Sequence, residues 1–343
     1  MRPFVYSRVA TAEQAVARAA VPADTVESAT RAPAQFLAGG TNVVDYFKLA
    51  CWDAVELVDI NDLRDEHGAI EARPDGIRFG ALVGMRQAAE DPDVVRDYPV
   101  IAEALRQSAS QQIRNVGTLA GNVLQRTRCG YFRDVDYDEC NKRAPGSGCA
   151  AIGGPNRGHA VLGVGDRCIA SYPGDLAPAL VALDARVETL GPRGGRTFPL
   201  RTLHTGAERP EVETILAPGE LITGFLVPAG PHTRRSTYVK VRDRESYEFG
   251  LATAAVALDL APDGIVRDAR IALGGGLTYR PWRADAAEGS LRDQPLTEET
   301  AAAAGRLALE GAVTHGDNDY LPELGARTVA RALLRAARMV DVT

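Results

Sequence analysis

The chain has 343 residues, 45% of them hydrophobic, and a formal net charge of −6, enough length for two or three packed units rather than one core. The acidic balance argues against nucleic acid as a ligand, because no basic surplus is present to displace counterions from phosphates. No run approaches the roughly 20 apolar residues that span a bilayer, and Met1-Arg-Pro-Phe-Val-Tyr6 lacks the apolar stretch of a secretory signal.

In chain order, Thr11-Ala-Glu-Gln14 reads as a capping box opening a short helix that ends near Pro22. Gln35 to Ala38 predicts a strand running straight into Gly39-Gly40-Thr41, and the alternation from Val55 to Ile60 predicts another. Ile77 to Phe79 is a third, ended by Gly80. Pro99 suits the first turn of a helix carrying Ile101, Leu105 and Ala109 on one face, which should stop near Asn115, just before a second glycine-rich segment, Gly117 to Asn122. Residues 126–175 are rich in Arg, Gly, Cys and Pro with little periodicity; a long irregular insert of this kind needs a staple or a function. Leu176 to Leu183 then predicts a helix and Arg186 to Leu190 a strand. From about Pro228 come strands at Thr237–Val241, Ala252–Leu260 and Ile271–Leu273, then helices opened by Thr297 and spanning Arg327–Met339. Strands followed by helices predict a separate α+β C-terminal domain.

In each glycine-rich loop, small residues let the backbone approach a ligand, and successive N–H groups can form an anion-binding nest. Two converging nests would grip a pyrophosphate from both sides, with Asn42 and Asn122 offering amides to a flavin ribityl chain. Either loop alone also reads as a plain turn. A Rossmann fingerprint is absent, since Gly163-Val-Gly-Asp-Arg-Cys168 has Cys at the third glycine position.

Four of the five cysteines, Cys129, Cys140, Cys149 and Cys168, follow the spacing C-x10-C-x8-C-x18-C. The C-x2-C pairs of a zinc ribbon are missing, and four thiolates match an iron–sulfur cluster. Spacing alone leaves zinc and unliganded or disulfide-bonded cysteines open. Arg126, Arg128, Arg133, Lys142 and Arg143 are placed to offset thiolate charge. Cys51 beside Trp52 reads as a packing residue. The five histidines show no ligand spacing, and no nucleophile elbow, Walker loop or His-Glu-x-x-His motif occurs, so no residue is assigned to catalysis.

Taken together, Phe36-Leu-Ala-Gly-Gly-Thr-Asn-Val-Val44, Ile113-Arg-Asn-Val-Gly-Thr-Leu-Ala-Gly-Asn122 and Gly174-Asp-Leu-Ala-Pro-Ala-Leu-Val-Ala-Leu-Asp-Ala185 resemble the FAD-binding medium subunit of the xanthine dehydrogenase and carbon monoxide dehydrogenase family, over essentially the whole chain. Within the insert, Gln125 to Arg133, Cys140 to Cys149 and Cys168-Ile-Ala170 resemble the periplasmic aldehyde oxidoreductase branch, whose flavin subunit carries an extra [4Fe–4S] cluster. The resemblance implies an α+β chain: a p-cresol-methylhydroxylase-type FAD-binding fold of two α/β subdomains over residues 1–228, with the iron–sulfur insert at about 126–172, then a small α+β C-terminal domain over 229–343. It implies that Leu37, Ala38, Gly39, Gly40, Thr41, Asn42 and Val43, with Thr118, Leu119, Ala120, Gly121 and Asn122, hold the pyrophosphate and ribityl parts of FAD. Ser108, Asp175, Ile222 and Lys240 match further flavin-contacting positions, Asp175 also reading as a helix N-cap. Cys129, Cys140, Cys149 and Cys168 are the implied cluster ligands. Ala120 departs from the family, where many members have a second glycine; its methyl is tolerable if φ there is negative.

The implied role is an electron-transfer subunit. A molybdenum-cofactor subunit oxidises an aldehyde or N-heterocycle, a [2Fe–2S] subunit relays the electrons to this FAD, and an external acceptor takes them. The complex would be a heterotrimer, cytoplasmic or carried to the periplasm with a signal-bearing partner. Two rivals remain at this point: a free-standing FAD oxidase of the same cofactor-binding superfamily, and a zinc-stapled scaffold without redox activity.

Overall fold

The computed structural model describes residues 3–21, 26 and 28–339. The first unit is a parallel sheet of β1 (Val5–Arg8), β2 (Ala34–Leu37) and β3 (Glu56–Asp59) in the order β1-β3-β2. Its crossover helix, Ala12–Ala19, starts where Thr11 Oγ1 accepts the Gln14 N–H at 3.2 Å, and it buries Ala12, Ala15, Val16 and Ala19. The expected stop at Pro22 lies outside the described residues; the helix closes at Ala19.

The second unit is an antiparallel sheet of β4 (Ile70–Arg73), β5 (Gly76–Gly80), β6 (Arg186–Gly191), β7 (Gly194–Pro199) and β8 (Leu221–Pro228), ordered β4-β5-β8-β6-β7. The helices Met85–Glu90, Pro99–Arg106 and Leu176–Ala182 pack against it around Phe79, Ile101, Leu105, Leu180 and Phe225. The helix expected to run to Asn115 is broken. It ends at Arg106, Ala109 turns the chain with φ +48°, and a new helix, Gln111–Val116, starts under a Ser110 cap. The serines are the cause: Ser108 Oγ donates back to the Ala104 carbonyl at 2.9 Å while Ser110 Oγ accepts the Ile113 N–H, both competing with helical continuation. Ala109 therefore sits in a turn and not on the apolar face.

The C-terminal unit is an antiparallel sheet of β9 (Ser236–Val241), β10 (Ala252–Leu260), β11 (Val266–Gly274) and β12 (Trp282–Arg283), ordered β12-β11-β10-β9. Strand β10 is buried on both faces, and the period of two sorts its side chains. Ala255 and Ala257 join the core of the second unit, while Ala254, Val256 and Leu258 pack beneath the helices Glu298–Ala308 and Leu321–Ala337. That sheet is thus a wall shared between two cores. The last helix begins at Leu321, earlier than its expected start at Arg327, because Pro322 occupies its first turn, where a missing N–H is harmless.

Between the second glycine-rich loop and Leu176 the chain is irregular, with only the single-turn helices Gly130–Arg133 and Ala150–Gly153 after the Leu119–Val123 turn. Among the described residues, no helix is long and apolar enough to cross a membrane.

Candidate cofactor cleft and cysteine centre

Strand β2 delivers its chain end into Gly39-Gly40, and the helix Val43–Lys48 follows. A Cβ placed on Gly39 would lie 2.2 Å from the Val116 carbonyl oxygen, so the two loops touch backbone to backbone. Gly40 has φ +72°, the left-handed region that favours glycine. The second loop is held by Thr118 Oγ1, which accepts the Gly121 N–H at 3.2 Å, and by the Leu119 and Ala120 N–H groups, which donate to the Val83 and Ala81 carbonyls. Ala120 is helical rather than positive in φ, so its methyl fits.

The paired loops form a saddle between two hollows. One is lined by Ala38 to Val43, Thr118, Ala120, Gly121 and Ile222, with Tyr172, His204 and the insert residues Arg126, Thr127, Lys142 and Ala170 on its far side. The other is lined by Ser108, Asn122 and Asp175 beneath Arg244, Tyr247 and Phe249. Thr41, Asn42, Thr118 and Gly121 line both. Three of the expected site residues stand back from the hollows. Leu37 packs among Phe47, Ala54 and Leu57, Leu119 is buried in the second core, and Lys240 is buried behind Asp175.

Both asparagine amides are engaged by the chain. Asn42 Nδ2 donates to the Gly121 carbonyl at 3.1 Å and its Oδ1 accepts from Arg128 at 2.7 Å, tying loop to loop. Asn122 Oδ1 accepts the Leu176 N–H at 3.3 Å, so Asn122 caps the helix that Asp175 was placed to cap. Asp175 makes no cap bond. Its buried carboxylate accepts from Ser108 Oγ at 3.0 Å, Tyr238 Oη at 2.8 Å and Lys240 Nζ at 2.9 Å. Burial, then the adjacent carboxylate, pushes the Tyr238 hydroxyl well above its ordinary value. Tyr238 was not expected from sequence; its signal was the i, i+2 spacing from Lys240, which puts both on one strand face.

The five basic residues expected to neutralise the cysteines mostly do something else. Arg128 and Arg133 both bind Asp45, at 2.7 Å. Arg143 donates to the carbonyls of Tyr131, Phe132, Asp134 and Tyr137. Arg126 and Lys142 flank the half-buried Glu213, at 2.9 and 3.5 Å. Burial would raise the Glu213 carboxyl, but these two cations hold it down to about 2. The cations therefore dock the insert onto the cofactor unit; Lys142 bears electrostatically on Cys168, while Arg126 and Arg133 bear on Cys51. His204, on the wall of the same hollow, hydrogen-bonds the Val123 carbonyl at 3.0 Å, and burial lowers it to about 4.

The four cysteines lie in one region of the insert, Cys129 packing with both Cys168 and Cys140. Cys140 and Cys149 face each other across an antiparallel bridge, the Cys149 and Cys168 thiols hydrogen-bond, and Cys129 feels the charge of Cys140 and Cys149. Backbone N–H groups favour the charged form of three of the sulfurs: those of Tyr131 and Phe132 lower Cys129, those of Ala151, Ile152 and Ile169 lower Cys149, and that of Ala170 lowers Cys168. Burial pushes the Cys129 thiol up to about 11, while the bond from its neighbour makes Cys149 the more acidic of the Cys149–Cys168 pair. Among the described residues, no three His, Cys, Asp or Glu side chains stand close enough to hold a metal ion as they are. Cys51 is buried against Tyr46 and Phe132, as its packing role requires. His159, which sequence spacing left unassigned, places Nε2 3.2 Å from Cys129 Sγ.

Two family models match the chain: the FAD binding domain in molybdopterin dehydrogenase over residues 2–230, and the CO dehydrogenase flavoprotein C-terminal domain over residues 237–337. The chain is 42% identical to the aldehyde oxidoreductase FAD-binding subunit PaoB of Escherichia coli K12, covering 98% of this chain and 99% of that one. It is 29% identical to the 6-hydroxypseudooxynicotine dehydrogenase complex subunit alpha of Paenarthrobacter nicotinovorans, over 92% and 94% of the two chains. Its fold superimposes on a chain of the reconstituted CO dehydrogenase from Oligotropha carboxidovorans with a TM-score of 0.75, at 22% identity and 99% coverage of each.

Proposed function

The chain belongs to the FAD-binding subunits of the xanthine and carbon monoxide dehydrogenase family, and from that premise we propose that it is the FAD- and [4Fe–4S]-carrying electron-transfer subunit of a heterotrimeric aldehyde-oxidising molybdenum hydroxylase. Its partners are a molybdenum-cofactor subunit and a [2Fe–2S] subunit, and electrons leave to an external acceptor. The observation that carries the reading is the backbone contact between the Gly39 and Val116 segments, which makes one saddle of two glycine-rich loops. An extended dinucleotide laid across it would have its pyrophosphate held by the segments from Gly39 to Asn42 and from Thr118 to Gly121. Bound FAD supplies acceptance of electrons singly or in pairs.

The chain's own residues place that cofactor. Ala38 to Val43 and Thr118, Ala120 and Gly121 line the crossing, with Leu37 and Leu119 anchoring the loops from the cores. Ile222 walls the first hollow, and Ser108, Asn122 and Asp175 the second. Lys240 acts through Asp175, fixing its carboxylate and adding positive charge behind it.

Cys129, Cys140, Cys149 and Cys168 fit an iron–sulfur cluster in donor type and number. The N–H groups aimed at three sulfurs are donors suited to thiolates. Burial raises the Cys129 thiol, and the bond with Cys149 and then burial raise that of Cys168, a condition that a bound cationic centre would reverse, as metal binding deprotonates its thiols.

The test is cofactor analysis of the full chain produced anaerobically: flavin identity after acid release, with iron, sulfide and zinc content. The expected result is FAD with about four irons and four sulfides per chain, the iron lost on Cys129→Ser. FAD without iron removes the cluster and keeps the subunit assignment. Zinc without flavin overturns the proposal in favour of a stapled scaffold.

A further inference from the structure

His159 is 8% exposed, and its Nδ1 has no hydrogen-bond partner. Its Nε2 lies 3.2 Å from Cys129 Sγ. A protonated Nδ1 would leave a buried donor unsatisfied, and the Nε2 lone pair could then only accept from a Cys129 S–H, a proton that a cluster-bound thiolate lacks. Protonation at Nε2 instead gives the sulfur an N–H donor and leaves only an acceptor without a partner, the cheaper arrangement. With Cys129 bound as a thiolate, the surroundings therefore select the Nε2–H tautomer.

The position of this ring is built from two domains. The His159 N–H donates to the Asn156 carbonyl at 2.9 Å, and the Asn156 amide donates to the His315 carbonyl at 2.8 Å. Fully buried Asn318 of the C-terminal unit donates to the His159 carbonyl at 3.1 Å, and its own Oδ1 accepts the His315 N–H at 2.7 Å. The next residue, Ala160, donates to the carbonyl of Ile169, adjacent to Cys168. The 156–160 segment is thus clamped between the C-terminal unit and the segment that carries a second cysteine.

We propose that His159 is a positioning residue of the cysteine centre, donating its Nε2–H to Cys129 Sγ and thereby raising the reduction potential of the cluster held there. This rests on the [4Fe–4S] reading above. A hydrogen bond to a ligand sulfur stabilises negative charge on it, and the reduced cluster carries one more negative charge than the oxidised one, so the bond favours reduction. The Tyr131 and Phe132 backbone donors on the same sulfur act in the same direction but cannot be removed by a side-chain change. His159 is the one side-chain donor to this sulfur among the described residues.

The experiment is an anaerobic redox titration of the full chain, followed by electron paramagnetic resonance of the reduced cluster, with iron and FAD counted on each sample. In His159→Leu the cluster should keep its iron and its midpoint should move to lower potential. In His159→Gln, whose amide N–H reaches the place of Nε2, the midpoint should return toward that of the unaltered chain. An iron-replete His159→Leu with an unmoved midpoint overturns the proposal, as does a His159→Gln as low as His159→Leu. If His159→Leu loses iron, the comparison passes to His159→Asn, whose shorter amide falls where Nδ1 sits: a midpoint below that of His159→Gln supports the proposal, and equal midpoints overturn it. An unaltered chain without iron is a different result, which removes the cluster reading itself.

Discussion

Gly39→Ala should cripple FAD binding, and Gly40→Ala should harm it less. At position 39 the new methyl carbon would stand 2.2 Å from the Val116 carbonyl oxygen and 2.8 Å from its carbon. Both neighbours are backbone, so no side chain can rotate away, and the loops must separate by about 1 Å to restore ordinary contact. Overpacking of this kind costs roughly 1–3 kcal/mol. Because the displaced loops are the two that close on the cofactor, affinity should fall by roughly 5- to 150-fold. At position 40 the nearest atom to an added Cβ is a leucine methyl at 3.4 Å. Only the φ of +72° opposes alanine there, at about 1 kcal/mol, or a few-fold in affinity. Titrating flavin-free protein with FAD and following the quenching of flavin fluorescence measures both constants. Equal losses at the two positions, or a Gly39→Ala chain that binds normally, would refute the reasoning that loop contact, rather than glycine flexibility, builds the saddle.

Asp175→Ala leaves the buried Lys240 ammonium without its counter-ion, with only the Gln107 carbonyl to receive it, and the Tyr238 hydroxyl without its acceptor, and should destabilise the chain by roughly 3–5 kcal/mol; an unchanged urea midpoint would contradict this. Acid should weaken the fold in two stages. His204 has a folded value of about 4 against its ordinary 6.5, so its contribution is complete above pH 6.5 and declines as the pH falls to about 4. Glu213, at about 2 against 4.5, contributes roughly 3 kcal/mol that is complete above pH 4.5 and lost as the pH falls toward 2. Melting temperatures measured across this range should show His204→Gln flatter than the unaltered chain between pH 6.5 and 4.5, and parallel curves would remove His204 as the cause. Asp45→Ala frees both Arg128 and Arg133. Asp45 is 34% exposed, so the stability loss should be about 1 kcal/mol or less, while limited proteolysis within residues 126–137 should quicken; an insert as resistant as before would show that other contacts dock it.

Much of the site was readable because its parts are local. A glycine pair after a strand, a threonine cap before Gly121 and a proline before an apolar stripe act within a few residues, where short-range sterics and capping dictate the backbone. The helix forecast from Pro99 to Asn115 failed because Ser108 is drawn to Asp175, 67 residues away, as well as to its own helix. The cations near the cysteines misled for a similar reason: their nearest neighbours in sequence are cysteines, but their partners are Asp45 and Glu213.

By itself, then, the order of residues determined the glycine loops, the strand and helix periods, the four-thiol composition of the insert and the family. Only the tertiary structure decided that Asn42 joins the loops, that Asn122 and not Asp175 caps the Leu176–Ala182 helix, and that His159 meets Cys129. Those contacts join residues 30 to 79 positions apart, and partners at such separations are chosen by how whole units pack, which no local propensity encodes.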